Sequence, residues 1–259
     1  MLHRLLTHGS PLPHRPTHLL ICWDGAKKKN DKRREPKPPE YYAALGMFQD
    51  AVTRLLGGAH VTCESEADDG VATAAVRSSA KPGHVAIVVS GDKDLHQLQL
   101  PMRRLVYCLN DKMILPASSI CRRWGVKKPS QMSIALAIIG DRADLIPGMR
   151  KWGPAKVKEL FKSVTATMSL EDALNAIVDQ IPADRQVEFY ENFDLTLLHP
   201  DLEGIPDPEP IKFATPEMVM AFSEKGGSAA EIAETFMPES THAANVRHRR
   251  GNRSLEDFE

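Results

Sequence analysis

Acidic side chains dominate the residues that could do chemistry in this 259-residue chain. Glu66, Asp68 and Asp69 stand in ESEADDG, Asp92 and Asp94 in VVSGDKDL, and Asp141 and Asp144 in IIGDRADLIPG; Asp24 ends the apolar run LLICWDG. Gathered carboxylates repel one another, so a fold that collects many of them usually holds divalent cations between them. One such cluster alone is as readily a solvated charge or a helix cap. Three clusters, each beside an apolar run, point to a built site. Ligands of oxygen alone favour Mg²⁺ or Mn²⁺ over zinc or copper. Two such ions ~3.5–4 Å apart activate water and steady the leaving oxygen of a phosphodiester during in-line displacement. That chemistry needs no Ser, Cys or His nucleophile, and none stands out. Phosphodiester hydrolysis is the reaction these residues favour.

The elements that must position the acids follow from hydrophobic patterning. His18 to Trp23 and Val85 to Ser90 read as buried parallel strands with acids at their C-terminal ends. Glu40 to Leu56 has amphipathic helical spacing and stops at Gly57-Gly58, and Glu66 to Ser79 reads as a second helix with three acids in its first turn. Leu105 to Leu109 and Met113 to Leu115 add two strands. This alternation predicts an α/β layered domain with a parallel sheet, in which ligands collect at the carboxyl ends of the strands. Strand alternation would let Asp92 and Asp94 converge, and Asp141 and Asp144 sit at i,i+3 spacing at a helix end. After about Arg123 helices take over: Ser130 to Ile139, a hairpin and helix from Gly148 to Phe161, Leu170 to Val178, and Asp184 to Leu198. DLEGIPDPEP reads as a linker, residues 211–238 as one or two small helices, and VRHRRGNRSLEDFE as disordered.

Two basic features accompany the acids. KKKNDKRREPK carries seven Lys or Arg within residues 27–37, more than a solvated loop beside a carboxylate site requires, and reads as a phosphate-contacting segment. In GDRADLIPGMRKWGPAKVKELF, Gly148 and Gly153 bracket a turn, Pro154 suits the first turn of a helix, and Arg150, Lys151, Lys156 and Lys158 add positive charge. A glycine-bounded hairpin between helices can offer backbone N–H groups to phosphates without reading sequence.

Composition bounds the class. Hydrophobic content of 42% supports a core. No apolar run reaches the ~18–20 residues needed to span a bilayer. The first residues lack a continuous apolar signal segment, so a cytoplasmic protein is expected. Cys22, Cys63, Cys108 and Cys121 are too scattered for a zinc site and read as reduced core residues.

Taken together, ESEADD, SGDKDLHQL and GDRADLIPGMRKWGPAK resemble the 5′ nuclease family, which includes flap endonucleases, phage 5′–3′ exonucleases and the 5′-nuclease domain of bacterial DNA polymerase I. The likeness runs from about Arg15 to Leu198. It implies a PIN-like catalytic domain over residues 1–125, a helix–three-turn–helix DNA-binding domain over 126–205, and a partly disordered extension over 206–259. It implies that Asp24, Glu66, Asp68, Asp69, Asp92, Asp94, Asp141 and Asp144 serve a site for two Mg²⁺ or Mn²⁺ ions. Asp92 and Arg34 would be central to cleavage. The hairpin from Ile146 to Gly153 would grip duplex phosphates, with a K⁺ ion on its backbone carbonyls. Lys29, Lys32, Arg33, Arg34, Lys93, Gly148, Arg150, Lys151, Gly153 and Lys156 are the expected DNA contacts of a monomeric enzyme on 5′-flap, nicked or duplex ends.

Some positions depart from the family pattern. Asn30 and Asp31 stand where a Tyr-Lys pair is expected ahead of Arg34, leaving Lys29 or Lys32 to substitute. Tyr41 and Tyr42 read as packing residues rather than base-stacking ones. Leu145 stands where Asn often precedes Ile-Pro-Gly. Nothing in MLHRLLTHGSPLPHRPTH matches the family's first strand and its metal-binding Asp, so that strand is expected to be truncated or lost. A catalytically weak, structure-specific DNA-binding protein is therefore an alternative expectation. A PIN-type ribonuclease is a further one, although it leaves GMRKWGPAK unexplained.

Overall fold

The computed structural model describes residues 12–13, 15–25, 38–64 and 66–212, with backbone alone at 54–56. Lys29, Lys32, Arg33 and Arg34, the helices expected beyond Lys212 and the C-terminal tail lie outside the described residues.

The first strand, β1 (His18–Trp23), is the aliphatic run HLLICW and pairs in parallel with β2 (Ala59–Thr62), Cys22 opposite Val61. Between them runs α1 (Pro39–Leu56), opened by a proline at its first position and stopped where Gly57 turns to φ 59°. The helix α2 (Ala67–Ala80) follows. Then β3 (Ala86–Ser90) pairs in parallel with β4 (Arg104–Cys108), and the short β5 (Met113–Ile114) pairs antiparallel with β4. With a last strand, β6 (Glu209–Pro210), the strands form two three-stranded sheets, β2-β1-β6 and β3-β4-β5, with no ladder between them among the described residues. Parallel pairs meet the expectation from sequence, but each sheet ends in an antiparallel edge strand.

What joins the sheets is α2, which packs against both β1 and β3. Its inward face is small: Gly70, Ala72, Thr73, Ala74, Ala75 and Ser79 are all buried. A Cβ at Gly70 would lie 2.4 Å from the Cys63 sulfur, so only glycine admits this approach of helix to strand end. The acid-bearing N-terminus of α2 is thereby held at the carboxyl ends of the strands.

The remaining helices are α3 (Ala117–Trp124), α4 (Met132–Ile139), α5 (Pro154–Leu160), α6 (Leu170–Val178) and α7 (Gln186–Thr196). Met132 to Ile138 are all buried, because α4 is apolar at every position but Ser133 and runs through the centre of this half. It packs on α5 and α7, in a core that includes Phe161, Ile177 and Phe189. A Ser169–Asp172 capping box starts α6.

The stretch that reads as a linker does not hang free. After α7 the chain crosses α2: the guanidinium of Arg77 donates to the carbonyls of Ile205 and Pro206, and Ile205 is buried with Cys63 and Ala74. It ends as β6 (Glu209–Pro210), antiparallel to β1 at His18 and Leu19. Tyr41 and Tyr42 depart from their expected packing role; both are exposed, in edge-to-face contact at 5.6 Å.

Candidate metal centre

The acid clusters meet where β1, β3, α2 and the turn after α4 come together. Asp24, just past β1, accepts the backbone N–H of Ala67 through Oδ1 at 2.9 Å, pinning strand end to helix start. Glu66 occupies the residue before α2 with no capping bond of its own, and Asp68 follows in the first turn. Burial first, then the charges of Asp92, Asp24, Glu66 and Asp144, raise the Asp68 carboxyl to about 7. One side chain thus reports that all three sequence clusters and Asp24 share one electrostatic neighbourhood.

Asp92 and Asp94 converge, but not by strand alternation. β3 ends at Ser90, whose hydroxyl accepts the Asp92 N–H at 3.0 Å; Asp92 Oδ1 then accepts the Asp94 N–H at 3.0 Å, where a 3₁₀ turn from Asp94 to Leu98 begins. Each side chain fixes the backbone two residues on. Asp141 and Asp144 likewise follow α4 rather than ending it. Reciprocal backbone bonds between Asp141 and Ile146, at 2.8 and 2.7 Å, close the loop that holds them.

Ligand oxygens of Asp94, Asp141 and Asp144 all lie within 4.8 Å of one another. Asp94 Oδ1 and Asp141 Oδ2 are buried and face the Lys93 ammonium. An all-oxygen donor set of crowded, buried carboxylates fits a hard divalent cation. Burial, with the neighbouring acids Asp92, Asp144 and Asp141, raises Asp94 to about 8 even though Lys93 opposes it. Burial raises Asp141 as well.

Asp69, next to Asp68, also holds the chain that follows α7. Its carboxylate is buried and Oδ1 accepts the backbone N–H of His199 at 2.9 Å. Lys93, expected at phosphates, turns inward in this structure: its ammonium pairs with Asp141, Asp144 and Asp94. Sequence spacing gave no signal for either contact. The nearby thiols are no nucleophiles; burial, with Cys63 beside it, pushes Cys22 up to about 12.

The hairpin lies on the same loop. Gly140 and Gly148 cross so closely that a Cβ on Gly148 would sit 2.5 Å from the Gly140 nitrogen, and both have positive φ, 84° and 67°. Gly153, by contrast, has nothing within 4 Å of an added Cβ. Arg150 and Lys151 are exposed, and Lys156 and Arg185 lie over the Trp152 ring at 5.3 and 4.6 Å from its centre.

A family model of the 5′–3′ exonuclease N-terminal, resolvase-like domain matches residues 1–125. Residues 1–125 thus carry the N-terminal domain of the 5′–3′ exonuclease family. It is 31% identical over 170 residues to flap endonuclease Xni of Shewanella baltica, covering 62% of this chain and 63% of that protein. It therefore spans less than two thirds of that relative's length. DNA polymerase I of Rhizobium leguminosarum is 30% identical over 197 residues, 72% of this chain and 19% of the polymerase. Among solved structures, a mutant bacteriophage T5 5′-exonuclease aligns at TM-score 0.53 and 16% identity, over 84% of this chain and 83% of that one. A T5 protein co-crystallised with metal ions aligns at 0.54, with 16% identity, over 83% and 84%. The catalytic core of Rad2 with a DNA substrate aligns at 0.51, with 15% identity, over 91% and 81%. These likenesses establish a mixed α/β nuclease fold. No helix among the described residues is long and apolar enough to cross a membrane.

Proposed function

We propose that this chain is a divalent-metal-dependent 5′–3′ exonuclease and structure-specific 5′-flap endonuclease that hydrolyses DNA phosphodiester bonds as a monomer. The observation that carries the reading is the convergence of Asp24, Glu66, Asp68, Asp92 and Asp144 on one neighbourhood, with Asp94, Asp141 and Asp144 within 4.8 Å beside it.

In this reading Asp24, Glu66, Asp68 and Asp92 hold one Mg²⁺ or Mn²⁺ ion, and Asp94, Asp141 and Asp144 hold a second. When bound, such ions activate water and neutralise charge on the scissile phosphate and leaving oxygen. Asp69 belongs to the scaffold, since its Oδ1 is committed to His199. Residues 1–125 form the catalytic domain and 126–205 a helix–three-turn–helix domain. There Arg150, Lys151 and Lys156, with the backbone from Gly148 to Gly153, steady duplex phosphates, and hairpin carbonyls hold K⁺. Arg34, with Lys29, Lys32 and Arg33, contacts the 5′ strand. The exposed Arg150 and Lys151 on this turn support the arrangement, because phosphate contacts position a duplex without reading its bases.

The test is cleavage of 3′-labelled 5′-flap, nicked and single-stranded substrates in Mg²⁺ and in Mn²⁺. Shortening from the 5′ end, abolished in a folded Asp92→Asn variant, is the expected result. Tight flap binding with no cutting in either metal would leave a DNA-binding protein. Preference for single-stranded RNA would point to a ribonuclease.

A further inference from the structure

Lys93 stands between two acids read as metal ligands, and its side chain is only 14% exposed. Its Nζ lies 3.5 Å from Asp94 Oδ1 and 3.4 Å from Asp144 Oδ2, and it pairs with Asp141 Oδ2. These are the same three acids whose oxygens gather within 4.8 Å. Asp94 Oδ1 and Asp141 Oδ2 are both buried, and the ammonium beside them supplies the charge that offsets their burial.

A divalent ion would need the same oxygens. Mg²⁺ sits at about 2.0–2.1 Å from its ligands and demands near-octahedral geometry. An ammonium among those carboxylates and a metal bound by them cannot share the space. The lysine stem is flexible and carries its charge as a single point, so it can leave without rebuilding the turn.

We propose that the Lys93 ammonium is the resident cation of the Asp94–Asp141–Asp144 site and that a divalent ion loads there only by displacing it. The inference rests on the reading of these acids as a metal site. It explains how the fold tolerates three crowded carboxylates before metal arrives. It also means that Lys93 sets the metal concentration at which this site fills. Apparent affinity falls by the fraction of molecules in which the ammonium has already left, so tenfold or greater weakening is expected if that fraction is about one tenth or less.

Calorimetric titration with Mn²⁺ compares the full chain with its Lys93→Met variant, which keeps most of the stem and removes the charge. The variant should bind at this site at least tenfold more tightly. It should melt lower than wild type in chelator and gain more from Mn²⁺. Adding Asp144→Asn to it should remove the extra affinity. A second measurement needs no variant. Reductive methylation of lysines, read by mass spectrometry, should find Lys93 protected in chelator and several-fold more reactive in Mg²⁺. Equal Mn²⁺ affinity and stoichiometry in both proteins, or Lys93 reactivity that ignores Mg²⁺, overturns the displacement while leaving the metal site standing. Absence of Mn²⁺ binding in both proteins overturns the metal site and the displacement together.

Discussion

The carboxylate of Asp69 and the backbone of His199 are joined by a 2.9 Å hydrogen bond that spans 130 positions of sequence. It fastens the chain leaving α7 to the first turn of α2, one residue from Asp68. Thr73 extends the seam: its hydroxyl accepts the Leu202 N–H at 3.1 Å and donates to the Asp69 carbonyl at 2.8 Å. The helical half is thus tied to the helix that presents the acids. Asp69→Ala would leave the His199 N–H without its partner and should cost about 1–3 kcal/mol in urea unfolding. Asp69→Asn keeps an acceptor oxygen and should cost less. Divalent binding by the folded Asn variant should stay close to wild type, whereas Asp68→Asn should weaken it. A loss of metal in Asp69→Asn equal to that in Asp68→Asn would make Asp69 a ligand after all.

Asp68 also predicts how the metal-free protein responds to pH. Its carboxyl is raised from 3.8 to about 7 by burial and by the acids around it. Between those values the folded state keeps a proton that the unfolded chain has released, so stability falls as pH rises from about 4 towards 7. The slope for one such group is at most about 1.4 kcal/mol per pH unit. In chelator, wild type should gain on Asp68→Asn as pH is lowered from 8 to 5.5, because the amide does not titrate. Parallel melting curves for the two proteins across that range would contradict the shift.

The acid clusters and the nearly all-apolar α4 were legible because each is a local pattern. What places Asp92 and Asp94 was not: alternation along a strand was the natural expectation, yet β3 ends at Ser90 and side-chain-to-backbone bonds make the turn. The inward turn of Lys93 was equally hidden, because Asp141 and Asp144 reach it only through tertiary packing. DLEGIPDPEP looked like a linker because prolines and acids predict exposure. Its hold on the fold lies instead in partners on α2, with Arg77 and Lys81 both pairing with Asp207 at 3.0 and 2.8 Å. Such exposed pairs contribute little energy each. Buried Ile205 and the backbone bonds to Arg77 carry more of the attachment.

The two hairpin glycines should separate stability from binding. Gly148 has φ 67° and would drive a Cβ to 2.5 Å from the Gly140 nitrogen, so Gly148→Ala should destabilise the fold by several kcal/mol through strain and clash. Gly153 has an extended backbone, φ −147°, and open space beyond it. Gly153→Val should therefore melt close to wild type yet bind flap and duplex DNA several-fold more weakly, since its side chain would occupy the approach of a phosphate. Unchanged DNA affinity in Gly153→Val across a salt series would make this turn a corner between helices and nothing more.

Trp152 organises the cations on the same surface. The Arg185 guanidinium lies 4.6 Å and the Lys156 ammonium 5.3 Å from its ring centre. Arg185 also donates to the Arg150 carbonyl at 3.1 Å and pairs with Glu188, which accepts the Arg150 N–H at 3.2 Å. Each cation–π contact contributes roughly 0.5–2 kcal/mol depending on its exposure. Trp152→Ala would release both side chains from fixed positions without removing a charge. The number of phosphates neutralised, read from the slope of log affinity against log salt, should then change little, while affinity itself drops several-fold. Lys156→Met should do the opposite to the slope, lowering it by about one contact. Mn²⁺ binding should be untouched in both variants, because neither residue reaches the acid cluster. Equal slopes and equal affinities for wild type, Trp152→Ala and Lys156→Met would remove this face from the DNA-binding surface.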